Sequence, residues 1–333
     1  MSIEQIIALA LIQGLTEFLP VSSSGHLALV PVLTDWEDQG VITDVMVHVG
    51  SLFAVIVYFW RDVLNLLAGT WDLVRLKNTH NARMAGYIAL ATIPALVFGA
   101  LLKLTGTLDA IRADTLRVAK IIAWTAVIYG VLLYIADVVG KRIKRMEDMT
   151  LAPAITIGIC QALALIPGTS RSGATMTAAR FLGFERAEAA RFSFLLGIPA
   201  IAAAGGFTAI EAVQTGGGIP SHAIWAAVLT FFAAIAAISL LMALVKRMGF
   251  WIFMVYSWRW LRSCFSSSKS RRLRALRFGG LLPRMRSAIF ATGDSLRDSF
   301  TLSMKPTWRT DFDSTCVCET GSICCWPLAS SLE

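Results

Sequence analysis

The sequence predicts an all-α polytopic membrane protein: an inverted-topology repeat with about five to six spanning helices and two re-entrant helical hairpins. Three observations carry that expectation. Hydrophobic residues make up 56% of the chain and charged residues 16%, with a mean hydropathy of +0.65, far from the ~45–50% and ~25% of soluble domains. Uncharged stretches of near-spanning length recur along the chain. One polar motif occurs twice, each time at the end of an apolar segment. The composition excludes disorder, collagen and a disulfide-rich secreted scaffold.

Taken in order, the N-terminus has no basic flank, and its apolar stretch is interrupted by Gln13 and Glu17, which is not a cleavable signal peptide. Gln5–Pro20 is expected to be a half-span that turns back. Val45–Trp60, Ala85–Leu102, Ile121–Ala136, Phe192–Ile210 and Ala223–Val245 are the expected spans. Crossing takes ~17–25 residues, so the shorter stretches need snorkelling flanks. Leu151–Pro167 is a second half-span. Met248–Trp258 opens a sixth apolar segment that stops after 11 residues.

Loop charge supplies an orientation. Arg61–Arg83 is net +2, Lys141–Asp148 +2, Arg180–Arg191 +1 and Lys246-Arg247 +2, whereas Thr34–Asp44 holds four acidic residues and no basic one. Lysine and arginine concentrate in cytoplasmic loops, so the acidic loop is expected outside.

Composition also divides the chain. Residues 1–256 carry 18 basic and 16 acidic side chains, and residues 257–333 carry 12 and 6. Cys160 is the single cysteine of the first part, against five in the second. The first part reads as one membrane-embedded domain, with repeat one at about 3–60 and repeat two at about 151–210. The second reads as a basic, Ser- and Cys-containing tail, so the high pI does not point to a nucleic-acid partner. One account of the tail is a basic appendage lying on anionic lipid. The favoured account is a reading frame lost near Tyr256, leaving a tail never selected to fold. Cys316, Cys318, Cys324 and Cys325 lack the spacing of a zinc site.

The repeated motif is Gln13-Gly-Leu-Thr-Glu17-Phe-Leu-Pro20-Val-Ser-Ser-Ser-Gly25 against Gln161-Ala-Leu-Ala-Leu-Ile-Pro167-Gly-Thr-Ser-Arg-Ser-Gly173. Three full spans separate the copies, so the second is inverted relative to the first, a recurrent way to build a polar site at mid-membrane. Ionisable residues at that depth are costly and by default functional, and Glu17, His26 and Arg171 all lie in these two motifs. Irregular backbone there must be buried in protein or line a cavity. These requirements place Glu17, Ser22, Ser23, Ser24, His26, Ser170, Arg171, Ser172 and Thr175 around one pocket. Hydroxyls, a guanidinium and the N-terminus of a new helix favour an anion, phosphate above all. The first motif adds a carboxylate, an imidazole and nucleophilic hydroxyls, and the sum is a phosphoryl-transfer site. His48 is read as either pocket-facing or helix-packing, and Asp137 as interfacial.

Gln13-x-x-x-Glu17, Pro20-Val-Ser-Ser-Ser-Gly-His26 and Pro167-Gly-Thr-Ser-Arg-Ser-Gly-Ala-Thr175 together resemble the undecaprenyl-diphosphate phosphatase family, the bacitracin-resistance type, over roughly residues 1–256. The resemblance extends to Phe192-Ser-Phe-Leu-Leu-Gly-Ile-Pro199 and the His48–Phe59 helix. It implies a multi-pass enzyme of the bacterial inner membrane that hydrolyses undecaprenyl diphosphate to the monophosphate at an outward-facing site, recycling the lipid carrier of cell-wall synthesis and conferring bacitracin resistance. It also implies a polyprenyl diphosphate substrate, Mg²⁺ or Ca²⁺ as cofactor, and homodimers. Carried over by motif, Glu17, Ser23, His26 and Arg171 become catalytic residues. Ser22, Ser24, Ser170, Arg171, Ser172 and Thr175 become phosphate-binding, and Glu17 with Gln13 metal-binding. Ser23 is expected to attack the terminal phosphorus while Glu17 or His26 takes its proton, with Arg171 and Ser170 stabilising the equatorial oxygens. His26 as nucleophile, or water directly, are rival schemes. A lipid-phosphate transporter using the same pocket, or an inactive truncated copy, are the alternative functions.

Overall fold

The computed structural model describes residues 1–34, 36–106, 115–214 and 218–262, so the readings of the tail beyond residue 262 lie outside the described residues. Ten named helices follow one another: α1 (Ile3–Thr16), α2 (Ser23–Leu33), α3 (Gly40–Tyr58), α4 (Trp60–Val74), α5 (His80–Leu104), α6 (Thr115–Val139), α7 (Leu151–Leu163), α8 (Arg171–Phe181), α9 (Arg186–Gln214) and α10 (Ser221–Arg247). Residues 251–262 are also helical. That last helix carries the sixth apolar segment six residues past the boundary drawn at Tyr256.

Among the described residues five helical stretches are long and apolar enough to cross a membrane: Gly40–Tyr58, His80–Leu104, Ile121–Val139, Arg186–Phe207 and Ser221–Arg247. They are the five spans the sequence predicts. The two half-spans are helices of 14 and 13 residues, about 20 Å long at ~1.5 Å per residue, too short for a ~30 Å hydrocarbon core. Each is followed by a turn and an 11-residue helix, α2 or α8.

The two hairpins start from opposite ends of the molecule. α1 begins beside the acidic loop, where Gln5 Nε2 donates to the Glu37 carbonyl at 2.9 Å. α7 begins after the basic stretch 141–148, and the basic stretches are gathered together. Arg191 pairs with Asp62 and, at 3.5 Å, with Glu188. Arg145 lies 3.4 Å from Glu185, and Met146 N–H donates to Glu188. This is the charge segregation expected from the alternating loops.

Each re-entrant helix packs on a long helix outside its own repeat, and glycine sets the approach. A Cβ on Gly14 of α1 would meet Ala233 of α10 at 2.5 Å; one on Gly158 of α7 would meet the Ala91 carbonyl of α5 at 2.2 Å. Small residues permit such close packing where lipid offers no hydrophobic drive between helices. Phe18, fully buried, sets its ring edge-on to Phe194 of α9 at 5.2 Å and fixes the end of the first half-span.

Two readings are corrected. The stretch Arg61–Arg83, taken as a loop from its charges, is mostly helix. Trp60, Leu64, Leu67, Trp71 and Val74 form an exposed apolar stripe along α4, the pattern of a helix lying in an interface. Its charges lie between the stripe positions, which breaks the long apolar run of a span without breaking the helix. Asp137, taken as interfacial, is buried. It receives Arg186 through both oxygens (2.7 and 2.6 Å), Arg180 Nε at 3.1 Å and Phe250 N–H at 3.3 Å. Arg180 is fully buried and also donates to the carbonyls of Lys141, Gly140 and Phe184. Proximity to a span end does not expose a carboxylate when two guanidiniums from other elements reach it.

Removing one member of a buried ionic cluster leaves an uncompensated charge. Asp137→Ala should therefore cost about 3–5 kcal/mol and clearly lower the thermal unfolding midpoint in detergent. An unchanged midpoint would contradict the role given to this cluster.

Candidate active site

The first hairpin turns at Glu17–Ser22 and the second at Ala164–Ser170, and the two turns meet. Glu17, at the end of α1, and Arg171, the first residue of α8, are 154 positions apart in sequence. Arg171 Nη2 nonetheless donates to Glu17 Oε1 at 2.7 Å. The other carboxylate oxygen accepts from Ser23 Oγ at 2.6 Å and from Gln13 Nε2 at 3.0 Å. His48 Nε2 of α3 stands 3.7 Å from the same oxygen. The carboxylate is buried and the guanidinium largely so. A buried ion pair persists when both partners are also hydrogen-bonded, and here each half of the repeat supplies one charge.

Local sequence explains each placement. Gln13, one turn before Glu17 on α1, also donates to Ser51 Oγ at 3.3 Å and ties the half-span to α3. Ser22 caps α2 by accepting from Gly25 N–H at 3.3 Å, in a left-handed conformation (φ 66°). Such a conformation in a non-glycine residue is strained and is held by its surroundings. In the second hairpin Gly168 (φ 85°) makes the turn, because a Cβ there would lie 2.2 Å from Thr125 Oγ1. Ser170 caps α8 by accepting from Gly173 N–H at 3.1 Å, leaving the other N–H groups of that first turn pointing out of the helix start.

The predicted site residues divide into four groups. Glu17, Ser23, Arg171 and Gln13 converge as expected. Ser170, Ser172 and Thr175 lie in the second hairpin with their hydroxyls engaged. Ser172 donates to the Leu19 carbonyl at 3.1 Å and stitches the two hairpins together, Ser170 Oγ lies 3.0 Å from Ser172 Oγ, and Thr175 pairs with Ser193 Oγ at 2.6 Å. Ser22 serves as a cap, and Ser24 is exposed. His26 forms a separate cluster. Its Nδ1 meets the Ser22 carbonyl at 2.7 Å, so that nitrogen carries the proton, and its Nε2 meets Tyr256 Oη at 2.7 Å, where the neutral ring accepts. Its ring stacks on Tyr256 and Trp260, with centroids 5.8 and 4.9 Å away.

Several contributors were not chosen from sequence. His48 reaches Glu17, while its Nδ1 donates to the Asp44 carbonyl at 2.7 Å. Ser51 lies one helical turn further along α3, and only helical spacing from His48 pointed to it. Gly197 is required by close approach: a Cβ there would lie 1.8 Å from Arg171 Nη1. Tyr256 and Trp260 lie at the edge of the tail, where the change of composition hid them.

Gln13 and Glu17 can offer oxygen to a cation. Gln13 Oε1 is buried without a hydrogen-bond partner, beside the Glu17 carboxylate. Among the described residues no group of three or more His, Cys, Asp or Glu forms a metal cluster. That set fits a hard cation that completes its shell with ligand oxygens.

Residues 6–260 match the family described as Bacitracin resistance protein BacA. The undecaprenyl-diphosphatase of Jannaschia sp. (strain CCS1) is 47% identical over 258 residues, covering 77% of this chain and 95% of that protein. That of Erythrobacter litoralis (strain HTCC2594) is 44% identical over 273 residues, with 77% and 96% covered. That of Ruegeria pomeroyi is 46% identical over 258 residues, with 77% and 95% covered.

The hydrogen bonds of His26 yield a spectroscopic expectation. Its ¹⁵N signals should report a neutral ring protonated at Nδ1, and Tyr256→Phe should shift Nε2 while leaving Nδ1 in place. A ring protonated at Nε2 alone would contradict the geometry.

Proposed function

The chain belongs to the bacitracin resistance protein BacA family, and on that premise we propose that it hydrolyses undecaprenyl diphosphate to undecaprenyl phosphate and inorganic phosphate. The site faces outward across the bacterial inner membrane, and the reaction recycles the cell-wall lipid carrier and confers bacitracin resistance. One observation carries this reading. A serine hydroxyl, a carboxylate and a guanidinium lie in a continuous chain, Ser23 to Glu17 to Arg171, with contacts of 2.6 and 2.7 Å. That is a nucleophile on its base, with an anion-binding group alongside.

The terminal phosphate of the substrate takes Arg171 from Glu17 and lies across the start of α8. Guanidinium geometry matches two phosphate oxygens at once, and Arg171 Nη1 is buried without a partner of its own. Ser23 Oγ attacks the terminal phosphorus and gives its proton to Glu17. The bond to the bridging oxygen breaks, and undecaprenyl phosphate leaves. Water then attacks the phosphoserine, and Ser23 recovers its proton as phosphate departs. Gln13 and His48 hold the carboxylate in place. Gln13 and Glu17 would hold Mg²⁺ or Ca²⁺ together with diphosphate oxygens, and a bound cation supplies neutralisation of diphosphate charge. His26 supports the hairpin from the other side of Ser22. Its Nε2 is engaged by Tyr256, which favours Ser23 over His26 as nucleophile.

The gathering of basic stretches at one end supports an outward orientation for the acidic end. Homodimers remain part of the proposal through family membership alone.

Trapping with labelled substrate tests the chemistry. An acid-stable phosphoenzyme, lost in Ser23→Ala, is expected; an acid-labile one would move the nucleophile to His26, and none in any variant would leave direct attack by water. Glu17→Gln should lower kcat by about 10²–10⁴-fold, the usual contribution of a general base, as measured by phosphate release in detergent. A loss confined to KM would contradict that role. Gly197→Ala should displace Arg171 and lower kcat/KM at least tenfold with the unfolding midpoint retained, because the clash falls on a movable side-chain end.

A further inference from the structure

At the basic end of the fold, Arg142, Glu185, Arg186, Ala187, Val245 and Lys246 line an open crevice between the α6–α7 connection, the start of α9 and the end of α10. Its charge is unbalanced. At its base Asp137 already serves two guanidiniums, Arg186 through both oxygens and the fully buried Arg180, so one positive charge is left over. Arg142 makes only a 3.4 Å contact with the Asp137 carbonyl. Arg142 and Lys246 are exposed at the rim. The single acidic lining residue, Glu185, is 3.4 Å from Arg145. Arg186 also opens α9, and a helix start favours negative charge.

The surroundings are those of a lipid boundary. A Cβ on Gly249 would lie 3.0 Å from Asp137 Oδ2, 3.1 Å from Arg186 Nη2 and 3.5 Å from Trp251, so the chain at 249–251 closes over the cluster. Trp251 is half exposed, and Val138, Val139 and Ile143 are each more than three-fifths exposed. A cationic crevice beside bare apolar helix surface and an interfacial tryptophan suits a ligand with an anionic head and apolar chains. We propose that this crevice binds a phosphate group, supplied in the membrane by the headgroup of one anionic phospholipid, with Arg142, Arg186 and Lys246 as its cationic contacts. The site lies at the opposite end of α8 from Arg171. Its ligand therefore neutralises the surplus charge at the anchor of the helix that carries the anion-binding residue.

The test is lipid retention by the purified full-length protein in native mass spectrometry, with phosphatidylglycerol and phosphatidylcholine as probes. The wild type should keep one phosphatidylglycerol and no phosphatidylcholine. R142Q/K246Q should weaken phosphatidylglycerol binding by roughly thirtyfold, the loss expected when two basic residues near an anionic headgroup are removed. Lys246→Gln alone, at an exposed helix end, should give an intermediate loss even if the double variant folds poorly. R61Q/R75Q, which removes equal charge from α4 and the residue that caps it, should bind as the wild type does. Undiminished binding in both crevice variants, or equal loss in R61Q/R75Q, would overturn the site. Displacement of bound phosphatidylglycerol by millimolar inorganic phosphate would overturn the lipid source.

Discussion

A carboxylate placed inside an apolar helical bundle must find a cation or lose its charge, and this constraint organises the molecule. Within its own half of the repeat Glu17 meets Gln13, Ser23 and His48 through one carboxylate oxygen. The other oxygen accepts from Arg171, at the start of the second helix of the other hairpin. The pair can form only if both half-spans stop at similar depth from opposite ends. The short helices, the turns at Glu17–Ser22 and Ala164–Ser170, and the glycine contacts at Gly14 and Gly158 serve that requirement. Under the proposed function, an anion that competes for Arg171 would leave the Glu17 carboxylate beside the Ser23 hydroxyl.

The helix α8 connects two ionic centres of different character. Its first residue reaches Glu17, which also binds a neutral amide and a hydroxyl and stands close to an imidazole. Arg180, near its last turn, is locked between Asp137 and several carbonyls. In the first centre Arg171 has one nitrogen without a hydrogen-bond partner and partial exposure. The second has no such freedom. A fixed anchor at one end lets the other end reorganise around a ligand without moving the helix, which is what positioning of a phosphoryl group demands.

Much of this was legible in the sequence, for identifiable reasons. Spans show because lipid demands long uncharged stretches, and the inverted repeat shows because both half-spans end in the same Pro- and Ser-Gly-containing turn. Glu17 and Arg171 show because charge in an apolar stretch is conspicuous. What stayed hidden depends on packing. Gly197 is an ordinary helix glycine until Arg171 is placed against it. Ser51 and Ser193 look like the many hydroxyls that bond only to backbone. Asp137 is buried by Arg180 and Arg186 from other helices, and no local pattern announces that. The α4 stripe is periodic, but its charges drew attention to a loop. Tyr256 and Trp260 sit where the composition begins to change; both stack on His26, and Trp260 also packs against Ala123, Val127 and Leu261.

The account stands most directly on energetic coupling between the two hairpins. The measurement is a double-mutant cycle on kcat/KM for undecaprenyl diphosphate, with Glu17→Gln, Arg171→Gln and the pair combined. Groups acting as one unit are not additive, and coupling of about 1–3 kcal/mol is expected for partners in direct contact. The double variant should then lose less than the product of the two single losses, by about five- to 150-fold. Losses that multiply would show that the two residues act independently, and that the meeting of the hairpins is not what makes the site.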